Sequence, residues 1–185
     1  MPPTADAPRI LALARNEIYG FSKTRRRSLQ LLEGLGALGD VHSGQTVKHR
    51  SRVAVDPTQP NLRQIHLIQS ELFTELAEKG FEIEPGALGE NVTTQGIDLL
   101  ALPTGTVLEL GPEARIELTG LRNPCGQINA YRNGLLALVR GRDDAGGVIR
   151  RAGVMAIVTA GGRVEVGDAI RVRLPSEPHR MLECV

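Results

Sequence analysis

The chain has no tryptophan, and aromatic residues make up only 3% of it, so its core must be aliphatic. Cysteine is scarce as well. Cys125 and Cys184 are the two present, and neither stands in a C-x-x-C pair. That argues against a disulfide framework or a structural zinc site and suits a reducing compartment. No apolar run approaches the ~18 residues of a membrane span, and the N-terminus lacks the charged-then-apolar order of a secretory signal. A soluble cytoplasmic protein with no membrane partner is the expectation. The formal charge is +1, which offers no bulk attraction for nucleic acid, so no nucleic-acid partner is expected. His-Glu-x-x-His, a phosphate-binding P-loop and a nucleophile elbow are all missing. The glycines of 34–39 approach the spacing of a dinucleotide loop, but they follow only a short strand, and no helix follows them at 40–44. That reading is discarded.

Glycine and proline are plentiful, at 21 and 11 residues in a chain of 185. Such punctuation points to many short strands joined by tight turns. The length suits one domain with a sizeable core; residues 1–8 read as a disordered or extended terminal segment and 9–185 as a single domain. Residues 9–15 and 28–33 read as strands, the second followed by a loose stretch over 34–39. Residues 48–60 read as a polar loop, and 61–68 lead into the clearest helix. There Ser70 is the predicted N-cap, Leu72, Phe73, Leu76 and Ala77 form one apolar face, and Lys79-Gly80 closes the segment. Residues 91–94 are strand-like, and 106–110 pairs with 114–121 as a hairpin across Gly111-Pro112. Residues 127–140 read as a helix interrupted at Asn133-Gly134, and 142–147 as a charged, flexible loop. Further on, 153–159 and 163–166 read as a hairpin across Ala160-Gly161-Gly162, followed by a strand over 169–174. The tail from Pro175, with Cys184, reads as peripheral. This is a mixed β/α chain, mainly β, with a barrel-like β core decorated by a few helices.

Chemistry concentrates in three places. Lys23-Thr24-Arg25-Arg26-Arg27 is the densest cationic run, either a solvated loop or a basic arm that reaches an anionic ligand. His42 sits between Gly39 and Gly44, where flanking glycines allow close backbone approach to a ligand; a structural histidine is the competing reading. Residues 86–127 lead from a glycine-rich turn to Asn123-Pro124-Cys125-Gly126. Arg122, three residues before Cys125, supplies charge that favours a thiolate, as would the start of a following helix. The alternative is a small buried apolar residue at a strand end. A Cys–His hydrolase or transferase would further require His42 or His66 within reach of Cys125.

Taken in order, these segments resemble the MOSC domain, the module found at the C-terminus of eukaryotic molybdenum-cofactor sulfurases. Gly39-Asp40-Val41-His42-Ser43-Gly44 is similar to the family's Gly-Asp-x-His-x-Gly, and Arg63-Gln64-Ile65-His66-Leu67 to its Arg-Gln-Val-x-Leu. The run from Gly86 to Ile97 is the most specific match. Arg122–Cys125 coincides with the family's cysteine motif and 161–168 with its closing Gly-Gly…Gly-Asp. The resemblance spans about Ser22 to Leu174. It implies a β-barrel-centred fold of the pyruvate-kinase β-barrel type and a pocket for an anionic, phosphate-bearing molybdenum cofactor (molybdopterin). Carried over by position, Cys125 would be the persulfide sulfur carrier or the molybdenum ligand, tuned by Arg122. Arg63, Gln64, His42, Glu90 and Asn91 would line or brace the pocket, with Arg25 and Arg26 as the anion-seeking arm. Glu90 would also accept hydrogen bonds from turn N–H groups. No desulfurase domain precedes the module in this sequence, so pyridoxal phosphate is not expected, and a separate cysteine desulfurase or redox partner would have to serve Cys125. Sulfurtransferase-like transfer of sulfur to a metal centre, or molybdenum-dependent reduction of N-hydroxylated compounds, is the enzymatic activity the resemblance suggests. A non-catalytic binding or scaffold module with a structural cysteine is the other reading.

Overall fold

A computed structural model describes residues 7–185. Of the segment expected to be disordered, residues 1–6 lie outside the described residues; the Pro8 carbonyl accepts a hydrogen bond from the Ile170 N–H. In chain order the elements are β1 (Arg9–Arg15), β2 (Thr24–Arg26), β3 (Ser28–Leu32), β4 (Gly36–Ala37), α1 (Arg50–Val53) and β5 (Ile65–Gln69). They continue with α2 (Ser70–Glu78), β6 (Val92–Gln95), a 3-10 turn (Leu99–Ala101), β7 (Val107–Leu110), β8 (Ala114–Leu121), α3 (Gly126–Tyr131) and α4 (Leu135–Val139). The last are β9 (Arg140–Arg142), β10 (Val148–Arg150), β11 (Val154–Ala160), β12 (Gly162–Glu165) and β13 (Ile170–Arg173). The fold is mainly β with a few helices.

Eight strands form one mixed sheet in the order β13-β7-β8-β11-β5-β6-β1-β2, in which the β5–β6 pair is parallel and the remaining pairs are antiparallel. A second sheet, β12-β3-β4, packs its Leu29, Leu31 and Val164 into the same core as Ile65, Leu67, Leu108, Ile116 and Leu118. The expected barrel is not closed. The free edge of β1 is shared: β2 takes Leu13–Arg15, and at the other end a lone bridge joins Arg9 to Ala169, with Ile10 exchanging main-chain bonds with Gly167 and Asp168. β13 is laddered to β7, and its junction with β1 is confined to this bridge and the adjoining main-chain bonds.

The β7–β8 hairpin has the register the alternation predicts, with Ala114, Ile116 and Leu118 buried and Arg115 exposed. Helix α2 buries Leu72, Phe73 and Leu76 as expected, although Ser70 is its first helical residue and Gln69 precedes it as an N-cap without a side-chain bond. Residues 65–69, which run straight into α2 as expected, are themselves a central strand. Two expectations are corrected. Residues 162–165 pair with β3, not back onto β11. The tail is not peripheral: Leu182 is buried, the Leu121 N–H donates to the Glu183 carbonyl, and Cys184 bridges Leu121. The loop over 142–147 is the tip of the small β9–β10 hairpin.

Strand β5 is buried on both faces. Ile65 and Leu67 enter the core between the sheets, while Ile68 joins Leu72, Leu76, Ile128 and Leu135 in a second cluster beneath the helices. Truncating any of these side chains to alanine costs about 2–5 kcal/mol. His66 shares the Ile68 face, and that face opens into the cavity described next.

Candidate functional site

A cavity of about 250 Å³ lies where β5, β11 and the turn before β6 meet the start of α3. The turn at 86–91 is the scaffold of one wall. Gly86 and Gly89 hold φ of +88 and +84; a Cβ on them would come within 2.6 Å of the Lys23 carbonyl and 2.5 Å of the Phe21 carbonyl. These glycines let the turn press directly on the segment carrying Phe21 and Lys23, both cavity residues. Glu90 sits wholly buried behind this turn and accepts from the Gly86 N–H and the Thr93 hydroxyl, while its Oε2 has no partner. Burial pushes its carboxyl up, against the pull of those hydrogen bonds and of Arg122. Glu90 therefore braces the wall and does not line it.

Asn91, next along, both lines the cavity and is locked in place. Its side-chain amide donates to the Ala14 carbonyl and to Asp40, and its Oδ1 accepts from the His66 N–H. Asp40 in turn accepts from Lys23 Nζ at 2.8 Å and from the His42 backbone N–H at 2.9 Å, with the His42 Nδ1 at 3.3 Å. Burial works against ionised Asp40, but the His42 hydrogen bonds and the Lys23 ammonium outweigh it and hold its carboxyl well below the usual range. Burial pulls Lys23 the other way, below the ordinary lysine value, with Asp40 opposing it. In the same motif Gly44, at φ +153, leaves room for the Lys48 side chain, which a Cβ there would strike at 2.3 Å.

Cys125 is the residue before α3, half-buried on the cavity wall, and its Sγ donates to Gln127 Oε1 at 3.6 Å. No described histidine hydrogen-bonds it, so the dyad required by a Cys–His hydrolase is not formed. Arg122 and Arg63 face the same cavity. Arg122 is buried, donates to the Leu88 carbonyl and lies 5.7 Å from the centre of the Phe21 ring. Burial lowers its proton affinity, opposed by the Cys125 thiol and Glu90. Arg63 donates from Nη1 to the Val185 main-chain oxygen at 3.0 Å. Burial, followed by the nearby charges of Arg52 and Arg122, pushes it down to about 10. Among the described residues neither guanidinium forms an ion pair with an Asp or Glu side chain. Lys48 and Arg52 add further positive charge to the wall.

The structure thus brings Cys125, Arg122, Arg63, His42 and Asn91 together. Besides Glu90, it leaves three predicted residues out of the lining. Gln64 is an internal strut, donating to the Gly34 carbonyl and accepting from the Val158 N–H, each at 2.9 Å. Arg25 and Arg26 stand exposed on β2 at the edge of the sheet, where Arg25 lies 4.0 Å from Glu84. The basic arm does not reach the cavity because β2 is held along β1; Lys23, just before that strand, is the member of the run that turns inward. Lys23, Lys48, His49 and Arg52 were not singled out as site residues, since a cation in a polar loop carries no signal that separates it from solvated charge. His66 also lines the cavity, but its Nε2 bonds the Ala152 carbonyl at 2.8 Å. Burial, then Arg122, pushes its ring far below the usual imidazole range, so it is neutral.

Among the described residues no group of three or more His, Cys, Asp and Glu side chains is placed to hold a bare metal ion. A metal at Cys125 would have to bring its own ligands. The donor set fits such a group: one soft sulfur beside two guanidiniums suited to phosphate or other oxyanions. No helix among the described residues is long and apolar enough to cross a membrane.

Known proteins agree with this architecture. The YuaD protein of Bacillus subtilis superposes with a TM-score of 0.71 over 92% of this chain and 97% of its own, at 26% identity. YiiM of Geobacillus stearothermophilus has a TM-score of 0.65 at 16% identity, covering 94% of this chain and 79% of its own. YiiM of Escherichia coli gives 0.60 at 19%, over 93% and 73%. At those identities the YiiM proteins attest the fold alone. No curated protein matches the chain by sequence. Residues 38–171 match the family described as MOSC domain, a stretch that runs from the Gly39–Gly44 motif through Cys125 to β13. The chain belongs to the MOSC domain family.

Proposed function

We propose that the cavity binds an anionic, phosphate-bearing ligand of the molybdenum-cofactor type, with Cys125 as the residue that engages its sulfur-rich metal centre or carries sulfur for it. The family's general association with that cofactor supports the reading at the coarse level. The observation that carries it further is the pair Arg63 and Arg122, two largely buried guanidiniums without an Asp or Glu partner, beside a half-buried thiol. Buried charge is costly unless neutralised, so a site built this way gains most from an anion. When bound, the cofactor would supply two-electron chemistry at molybdenum, such as reduction of N-hydroxylated compounds. This chain's part is to hold the anion on Arg63 and Arg122, present the Cys125 sulfur and shield both behind the 86–91 turn. As a sulfur carrier, Cys125 would take the sulfane sulfur of a separate cysteine desulfurase's persulfide, releasing that enzyme's thiolate.

Metal and pterin analysis of protein made in a host that produces the cofactor tests the proposal. Wild type should co-purify with molybdenum and pterin, Cys125→Ala should lose the metal, and Arg63→Ala should lose both. Equal metal in wild type and Cys125→Ala would overturn the ligand role; persulfide labelling at Cys125 after incubation with a desulfurase and cysteine tests the carrier role. A purely structural thiol is disfavoured by the half-exposed, cavity-lining position of Cys125.

A further inference from the structure

We propose that the cavity selects oxyanions that still carry a proton, and that the Nε2 of His42, oriented by Asp40, is the acceptor that reads it. The proposal rests on the anion-binding reading above and deepens it: a phosphate monoester, which loses its last proton at about pH 6, would be taken as the monoanion that keeps its P–O–H.

Asp40 orients the His42 ring. Its Oδ1 faces the His42 ring Nδ1 at 3.3 Å and its backbone N–H at 2.9 Å. Its Oδ2 takes the Lys23 ammonium at 2.8 Å and the Asn91 amide at 3.0 Å. A buried carboxylate held against a buried ammonium is an acceptor on both oxygens. The ring nitrogen facing it must therefore carry the hydrogen, which fixes neutral His42 as the Nδ1–H tautomer and puts the lone pair on Nε2. The ring borders the cavity, and no described residue hydrogen-bonds Nε2.

Around that lone pair the wall offers mainly donors. Lys48, Arg52, Arg63 and Arg122 have N–H groups and nothing that accepts. The amide oxygens are already engaged: Asn61 Oδ1 by the Arg63 N–H, Asn91 Oδ1 by the His66 N–H, Asn123 Oδ1 by Arg150 Nε, and Gln127 Oε1 by Cys125. His49, the other charged-or-neutral ring on this side, shares its Nδ1 with the Ser51 hydroxyl, and no carboxylate fixes its tautomer. His42 Nε2 is thus the acceptor whose direction the fold determines. An anion with one remaining O–H satisfies donors and acceptor together. An equally charged anion without a proton turns a lone pair toward a lone pair. A site built to bond a hydroxyl rejects the analogue that lacks it.

Hydrogen phosphate and sulfate form the test pair, because at about pH 8 they match in shape and charge and differ in one proton. Calorimetric titration should show wild type preferring phosphate by on the order of tenfold. His42→Phe, which keeps a ring against Tyr19 (ring centres 5.9 Å apart in wild type), should lose the preference and bind the two alike. Nitrogen NMR of the wild-type histidines supplies a measurement independent of any variant, and His42 should show the Nδ1–H tautomer. Equal phosphate and sulfate affinities in wild type, or an Nε2–H tautomer, would overturn the proton selectivity while leaving an anion site. Binding of neither ion would overturn both this inference and the anion-binding reading beneath it.

Discussion

Lys23 Nζ lies 2.8 Å from Asp40 Oδ2, and the two side chains are 4% and 0% exposed. Breaking the pair leaves one charge buried without its partner. Lys23→Met and Asp40→Leu should each cost about 3–5 kcal/mol in denaturant unfolding, while the double variant should cost clearly less than the sum. Additive losses would show that the two charges do not stabilise one another.

His66 sets an acid limit well above that of the carboxylates. Its folded-state value is far below the ordinary 6.5, because burial and then Arg122 disfavour the charged ring. As pH falls through about 6.5, the unfolded chain takes the proton first, so stability present above that pH is lost on acidification. The loss should reach about 1.4 kcal/mol per pH unit. Asp40, whose value is depressed, adds a second loss in the same direction only below about pH 4. Glu90, whose carboxyl burial pushes up, opposes this slope in the same window, so the difference in unfolding free energy between wild type and His66→Gln from about pH 7 to pH 5 isolates the His66 contribution.

Arg122 should trade stability for binding. Replacing this buried guanidinium with methionine removes an uncompensated charge at similar volume, so the ligand-free protein should gain about 1–3 kcal/mol. The same variant should lose the rise in Tm that phosphate gives to wild type through selective binding to the folded state. Thermal scans with and without phosphate read both effects at once.

Gly86 cannot be replaced cheaply. Its φ of +88 and the Lys23 carbonyl 2.6 Å from its missing Cβ both oppose a side chain. Gly86→Ala should lower stability by more than about 1 kcal/mol and weaken phosphate binding, since the displaced segment carries Phe21 and Lys23. Gly80→Ala is the control, with a similar φ of +85 and open space around it. It should share the strain and keep the binding.

What could be read from the sequence follows from how each element meets solvent. The β7–β8 hairpin and helix α2 each have one wet face, so alternation in the first and helical spacing in the second betray them. Strand β5 has none. With Ile65, His66, Leu67 and Ile68 all buried, it has no period to detect. The pairing of β12 with β3 was hidden by Gly161-Gly162, which looks like a hairpin turn but sends the chain to the other sheet. At the site, His42, Arg63, Asn91, Arg122 and Cys125 could be picked out because they sit in ordered motifs. The role of Lys23 depends on the way one carboxylate, 17 residues away, turns it inward.

The parallel pairing of β5 with β6 also bears on how the cavity comes into being. Two parallel neighbours begin at the same end of the sheet, which is why His66 and Asn91 meet there. The chain between them must complete a crossover through α2 and return by the 86–91 turn before that meeting can occur. Such non-local closure is slow to form. The cavity wall should therefore be among the last parts of the sheet to assemble, and substitutions on the apolar face of α2 should delay the site's appearance during refolding without touching any residue that lines it.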